Sequence, residues 1–370
     1  MMKKASSILQ IAVFLAFIGL FCVLHFVLPD REISGRESLQ TAPRFSFDAL
    51  FSGRLSKSLE DYVNDQFPFR EGWITLKAGA ELASGREENN GVFLCESETL
   101  IEPFRAPEES SVRRKLEAVN ALAESAGAPV SFALIPSAAE IWSAMLPKGA
   151  PNDSQRDFIN GCYAQIIADT ADVRSVLAAH AGEPVYYRTD HHWTTLGAYY
   201  GYAALGGALG YTPLPLDAYR ERVASEGFYG TAWSSSGFAW VKPDRISAYV
   251  EQGGAVITNY PNGAPEPGRL YAEEYLERVD QYSYFYGGNT PLVKIETGNA
   301  GEKLLVVRDS YMDSLSPFLF PHFSEIHILD LRYYKASLAE YIAAEGFDRV
   351  LVCYSVNNFA EDSNLFLLSH

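Results

Sequence analysis

The sequence predicts an α/β protein: three layers around a mainly parallel sheet, preceded by one N-terminal transmembrane helix. Three observations predict it. Residues 8–28 form an apolar run close to the ~20 residues a spanning helix needs. From residue 129 onward, short apolar runs ending in turns alternate with helix-period stretches, the pattern of βαβ units. The chain has 370 residues, 48% of them hydrophobic, enough for one large domain or two ordinary ones.

The first segment is residues 1–30. Lys3 and Lys4 precede the apolar run, which holds no acid, Lys or Arg; its ionisable side chains are Cys22 and His25. Lysines ahead of a span predict a cytoplasmic N-terminus and a body outside. A cleaved signal peptide has a shorter apolar core and an A-x-A-like site. "HFVLPDREISG" follows instead, so an uncleaved anchor at the cell membrane is expected. Residues 31–90 read as a juxtamembrane linker and helical region. Phe47, Leu50, Phe51, Leu55, Leu59 and Tyr62 recur at helical spacing until Pro68 interrupts.

Residues 91–370 read as one domain. "NNGVFLCESETLIE" is a hairpin turning at Asn90-Gly91. A helix is predicted over 110–126, stopped by Gly127. "PVSFALIP" is a strand, "DFINGCYAQIIADTADV" a helix and "PVYY" a strand. "TTLGAYYGYAALGGALG" is a small-residue helix able to pack closely on a sheet. Residues 211–300, rich in Gly, Pro, Tyr and Ser, read as an irregular, substrate-shaping insertion. "KLLVV", "EIHIL" and "DRVLVCY" are then strands, with "SLAEYIAAEGF" a helix between the last two.

Composition excludes some partners. There are 46 acids against 30 bases, a net charge of −16. Without basic clusters such a chain is not expected to bind nucleic acid. Cys22, Cys95, Cys162 and Cys353 are scattered with no CxxC, so no structural zinc site is expected; a Cys95–Cys162 disulfide is one pairing open to it. No phosphate-binding glycine loop occurs and no cofactor is called for.

Chemistry concentrates at strand ends, where ligands bind in such sheets. Three strands deliver Arg308-Asp309-Ser310-Tyr311, Asp330-Leu331-Arg332-Tyr333 and Ser355-Val356-Asn357-Asn358. A serine on a tight turn after a buried strand presents its hydroxyl, but Asp-Ser there also reads as a helix cap. Far away lies Asp190-His191-His192-Trp193, which reads as a metal site, a base for a distant nucleophile, or a capping turn. In an extended segment Asp190 and His192 share a side and His191 faces the other, a poor arrangement for one metal. A serine nucleophile needs a base and a group that orients it. His192 and Asp190 supply both, compatible with capping by Asp190 or Thr194.

"TDHHWTTLGAYYGYAAL", "LLVVRDSYMDS" and "LDLRYY" together resemble the DHHW protein family, itself similar to the SGNH-hydrolase-like alginate O-acetylation enzymes. The likeness extends to "YVNDQFPFREGW", "NGVFL", "FYGTAWSSSG" and "YGGNTPLVKI". It implies an SGNH-hydrolase-like sandwich with Asp-x-His ahead of the serine. Residue by residue, Ser310 matches the nucleophile, His192 the base and Asp190 its orienter. Asn357 resembles the oxyanion asparagine. Arg332 and Asn289 are further rim candidates for substrate contact, Asn289 beside Gly288. The chain departs from ordinary hydrolases where Arg308 and Ser355 stand in place of glycines.

The expected function is an extracytoplasmic, membrane-anchored O-acetyltransferase or acetylesterase acting on a cell-envelope or exported polysaccharide, with a membrane partner as acyl donor. The competing reading is a non-catalytic polysaccharide-binding or assembly factor on a degenerate hydrolase scaffold. A lipase is a third, though G-x-S-x-G is absent.

Overall fold

A computed structural model describes residues 2–34 and 37–369. The chain forms two compact units, Met1–Arg86 with Gly237–Ala239, and Glu87–Ser236 with Trp240–His370.

In the smaller unit, α1 (Met2–Val27) contains Ser7–Val27, long and apolar enough to cross a membrane, with mean hydropathy 2.6. The predicted helical region is α2 (Phe47–Phe51), α3 (Arg54–Asp65) and α4 (Arg70–Ala83). Gly53, at φ 75°, breaks the apolar periodicity between α2 and α3. Phe21 of α1 stacks on Phe67 at 5.3 Å.

In the larger unit, Glu88–Asn89, Val92–Cys95 and Thr99–Ile101 make a small antiparallel sheet. Asn90 and Gly91 both take positive φ at its first turn, as a two-residue hairpin requires. The main sheet collects β1 (Val130–Ile135), β2 (Asp169–Thr170), β3 (Val256–Asn259), β4 (Glu266–Pro267), β5 (Leu292–Glu296), β6 (Glu302–Arg308), β7 (Phe323–Leu329) and β8 (Arg349–Ser355). The spatial order is β4-β3-β5-β7-β6-β8-β1-β2. Pairings from β7 through β2 are parallel, and those from β4 through β7 are antiparallel.

The sheet is therefore mixed, and the mainly parallel arrangement expected holds only from β7 through β2. The antiparallel half comes from residues 211–300, read above as irregular. β3 hides there because it is only partly buried, Val256 exposed while Ile257 is buried, and β5 because its buried apolar run is short and broken by Lys294. Two other expectations also change. "PVYY" contributes only a bridge, Tyr186 to Trp193. The helix starting at Gln155 ends at Tyr163, and Asp169–Thr170 pairs with β1 instead.

Alternation along β6 builds the layers. Leu304 and Val306 enter one apolar cluster with Tyr202, Leu205 and Leu209 of α5 (Thr195–Leu209). Leu305 and Val307 enter the other, with Leu116 and Val119 of Glu109–Ser125 and Leu338 of Leu338–Glu345. A strand buried on both faces puts successive side chains on opposite sides. Cys95 and Cys162 belong to opposite clusters and are free thiols, so the pairing considered above is not formed.

α5 packs closely because it is glycine-rich. A Cβ on Gly201 would lie 2.5 Å from the Trp193 ring. Trp193 is fully buried against that gap, and its Nε1–H donates to Tyr311 O at 2.9 Å. The indole thus ties the Asp-His-His-Trp turn to the segment just after the serine.

Candidate active site

Ser310 ends the turn that follows β6 and opens the short helix Tyr311–Leu315. The preceding Asp309 is fully buried and fixes this turn. Its Oδ1 accepts from Tyr311 N–H at 3.0 Å, and its Oδ2 accepts from Ser355 N–H and Asn358 Nδ2 at 2.8 Å each. The carboxylate thereby locks the end of β6 to the end of β8, with charge-assisted bonds in a dry setting.

The distant Asp-His-His-Trp turn comes to the same place. His192 Nε2 lies 2.7 Å from Ser310 Oγ, and His192 Nδ1 lies 2.6 Å from Asp190 Oδ1. His192 and Asp190 are both buried, at 4% and 1% exposure, while Ser310 is half-buried. The segment is a bend, not an extended run: Asp190 Oδ1 also accepts the His192 N–H at 2.9 Å, the local turn Asp favours. Bending changes one expectation. His191 does not face away but lies over His192, ring centroids 3.8 Å apart, with Nδ1 2.7 Å from Thr231 Oγ1.

The outer oxygen of Asp190 is held by a segment that sequence reasoning left unassigned. Thr231 N–H and Oγ1–H donate to Asp190 Oδ2 at 2.8 and 3.2 Å. Gly230 permits the approach, since a Cβ there would sit 2.1 Å from that of Asp190. The motif "FYGTAW" was visible, but nothing local to it points at residue 190.

Tyr282 was also missed. Its ring stacks on His192, and its hydroxyl bonds to Ser310 O at 3.1 Å and Ser314 Oγ at 3.3 Å. Burial holds this phenol well above its ordinary pKa, so it stays a donor. Burial, then the neighbouring His191, push His192 down to about 4 against the pull of Asp190. The imidazole is thus neutral near pH 7, the form that accepts a proton. Burial also raises the Glu102 carboxyl, which lies in the field of His191 and Asp190.

The other rim residues are placed as follows. Arg332 chelates Asp330, Nε to Oδ1 at 2.9 Å and Nη2 to Oδ2 at 2.6 Å, and its Nη2 reaches Asn289 Oδ1 at 3.4 Å. Two of the predicted residues therefore meet each other. Asn357 follows β8 with a buried Oδ1 that has no hydrogen-bond partner among the described residues. It is Asn358 whose side chain touches the Asp309 turn. Arg308, buried, pairs with Asp313 at 2.8 Å, and Ser355 Oγ caps the helix Val356–Glu361; these are the uses made of the two non-glycine positions.

Asp190, His191 and His192 bring one potential metal-ligand atom each within 4.8 Å of one another. Both nitrogens of His192 are already engaged, by Asp190 and by Ser310, which fits the set to proton transfer better than to ligation.

The mixed sheet with helices on both faces and a serine at a strand end is an SGNH-like fold. It is similar to the crystal structure of a DHHW family protein from Eubacterium siraeum, with a TM-score of 0.67 and 25% identity over 76% of this chain and 95% of that one. It is also similar to Bacillus cereus PatB1, solved with a sulfonyl adduct, with a TM-score of 0.62 and 21% identity over 75% of this chain and 98% of that one. The DHHW protein family model matches residues 114–329, and the chain belongs to that family. In sequence it is 25% identical over 239 residues to the "Probable alginate O-acetylase AlgJ" of Pseudomonas syringae pv. tomato, covering 61% of this chain and 58% of that protein. The chain thus matches little more than half the length of this relative.

Proposed function

We propose that the chain is an extracytoplasmic, membrane-anchored O-acetyltransferase, or an acetylesterase, acting on a cell-envelope or exported polysaccharide. The observation that carries this reading is the unbroken line Asp190–His192–Ser310, with contacts of 2.6 and 2.7 Å. The name of the curated relative supports an acetyl group and a polysaccharide acceptor.

The chemistry follows from those contacts. Ser310 Oγ attacks the acetyl carbonyl of a donor ester while His192 Nε2 takes the hydroxyl proton. The donor's C–O bond breaks, and His192 returns the proton to the leaving oxygen. Acetyl-Ser310 remains. A sugar hydroxyl then gives its proton to His192 and attacks the same carbon, the bond to Ser310 breaks, and the proton returns to Oγ. Water in place of the sugar gives hydrolysis. Asp190 stays ionised, holds the ring and stabilises the imidazolium. Asn357 is assigned to the oxyanion and the Arg332–Asn289 pair to the glycan. The anchor keeps the enzyme beside a membrane partner that hands acyl groups outward.

The test uses the full-length chain in detergent with p-nitrophenyl acetate, with and without oligosaccharide. The reading predicts ester turnover that requires Ser310 and His192, and acetylated sugar when acceptor is present. A folded protein with neither activity would transfer support to the non-catalytic scaffold.

A further inference from the structure

Next to the rim of the sheet the larger unit holds a cavity of about 450 Å³ walled by Tyr260, Tyr333, Tyr334 and Tyr341, with Lys294 and Lys335. Among the described residues no acidic side chain lines it, although the chain carries a net charge of −16. Four tyrosines and two lysines thus surround one hollow.

Tyr341 and Tyr334 are already held by their neighbours. Lys294 Nζ sits 5.5 Å from the Tyr260 ring and 5.6 Å from the Tyr341 ring, and pairs with Glu345 at 2.5 Å. Tyr341 OH lies 2.6 Å from His327 Nδ1, and the Tyr334 ring meets Tyr341 edge-on at 5.7 Å. Tyr333 is 47% exposed and backed by the Arg332 guanidinium at 5.6 Å. Side chains ordered before binding lose little entropy when a ligand arrives. Lys335 Nζ donates to Leu331 O and Asn364 Oδ1. Both partners are neutral, so one donor and the positive charge remain.

The cavity is connected to the serine through contacts. Tyr333 follows Arg332, Arg332 chelates Asp330 at 2.6 Å, and Asp330 lies 3.7 Å from Arg308, two residues before Ser310. Leu292, which starts β5 and lines the cavity, stands two strands from β6, about 10 Å away. A polymer lying along the rim would cover both places; a small acyl donor would not.

We propose that this tyrosine-walled cavity is a saccharide subsite. It stacks one unit of a glycan chain on the tyrosine faces while another unit of that chain meets Ser310, and Lys335 gives it a preference for anionic sugars. Tyrosine suits this because it offers an apolar face for a sugar ring together with a polar edge. The part played by Ser310 rests on the function proposed above; the subsite itself does not.

The experiment measures binding of hexuronic acid oligomers, and in parallel glucose oligomers, to the full-length chain in detergent by titration calorimetry. Tyr333→Ala is expected to weaken uronate binding by about tenfold, and Lys335→Ala to remove the preference over glucose. Both variants should retain wild-type hydrolysis of p-nitrophenyl acetate, which needs no glycan. Uronate binding without ester hydrolysis, but still lost in Tyr333→Ala, would uphold the subsite and defeat the acyl-serine. Wild-type affinity in Tyr333→Ala, or no binding of either oligomer by the wild type, would overturn the subsite.

Discussion

The ring of Tyr282 lies flat on the imidazole of His192, centroids 3.7 Å apart and planes 10° from parallel. The same side chain bonds to the Ser310 carbonyl. One residue thus supports both partners of the His192–Ser310 contact. Tyr282→Phe keeps the stack and loses the hydroxyl bonds, at about 1 kcal/mol of stability, with a small change in rate. Tyr282→Ala loses the stack as well, at about 3–5 kcal/mol, and ester turnover should fall at least about tenfold from misplaced His192. Thermal melts and acetyl ester kinetics on the pair check this. Equal rates in both variants would show that the stack does not position the base.

Removing the base should be costlier. His192→Ala is expected to lower kcat by about 10³-fold or more, and Asp190→Asn by about 10³–10⁴-fold, because the wrong tautomer then faces Ser310. Ser310→Ala combined with His192→Ala should be no worse than Ser310→Ala alone, since the two act as a unit. Additive losses in a double-mutant comparison would contradict a shared step.

Gly230→Ala tests the support behind Asp190. The added methyl would lie 2.1 Å from the Asp190 Cβ, so the carboxylate must move. A displacement near 1 Å costs on the order of 10²-fold in rate. Activity should drop by about that factor while circular dichroism stays unchanged. Full activity in this variant would mean that Asp190 is free to relocate.

The pH dependence has a definite sign. An unfolded imidazole titrates near about 6.5, and burial with His191 holds the folded His192 down to about 4. Below 6.5 the unfolded chain takes up a proton that the folded one refuses. His192 therefore contributes stability that is complete above pH 6.5 and is lost as pH falls toward 4. The neutral base survives through the same window. The acid limb of kcat/KM should have its midpoint well below 6.5, and His191→Gln should raise that midpoint. A wild-type midpoint at or above 6.5 would contradict the assigned environment.

Much of the candidate site was legible because its parts obey local rules. Asp190, His192 and Ser310 stand out as chemistry-bearing residues at turns, and the apolar runs before Ser310 and Ser355 read as buried strands. What was hidden depends on pairing between distant segments. Tyr282 and Thr231 reach His192 and Asp190 from short helical turns inside a Gly- and Tyr-rich stretch whose own sequence points to no distant partner. β3 is short and partly exposed, and β5 is a short buried run broken by Lys294, both inside a Gly- and Pro-rich stretch, so the antiparallel half of the sheet escaped a periodicity test. His191 was misplaced because a bend was read as an extended run.

The most direct test of the account is intact-mass measurement of the full-length chain during reaction with p-nitrophenyl acetate, followed by peptide mapping. The account predicts one transient acetyl group on Ser310, absent in Ser310→Ala and strongly slowed in His192→Ala. An acetyl group carried elsewhere, or turnover that survives Ser310→Ala, would contradict it.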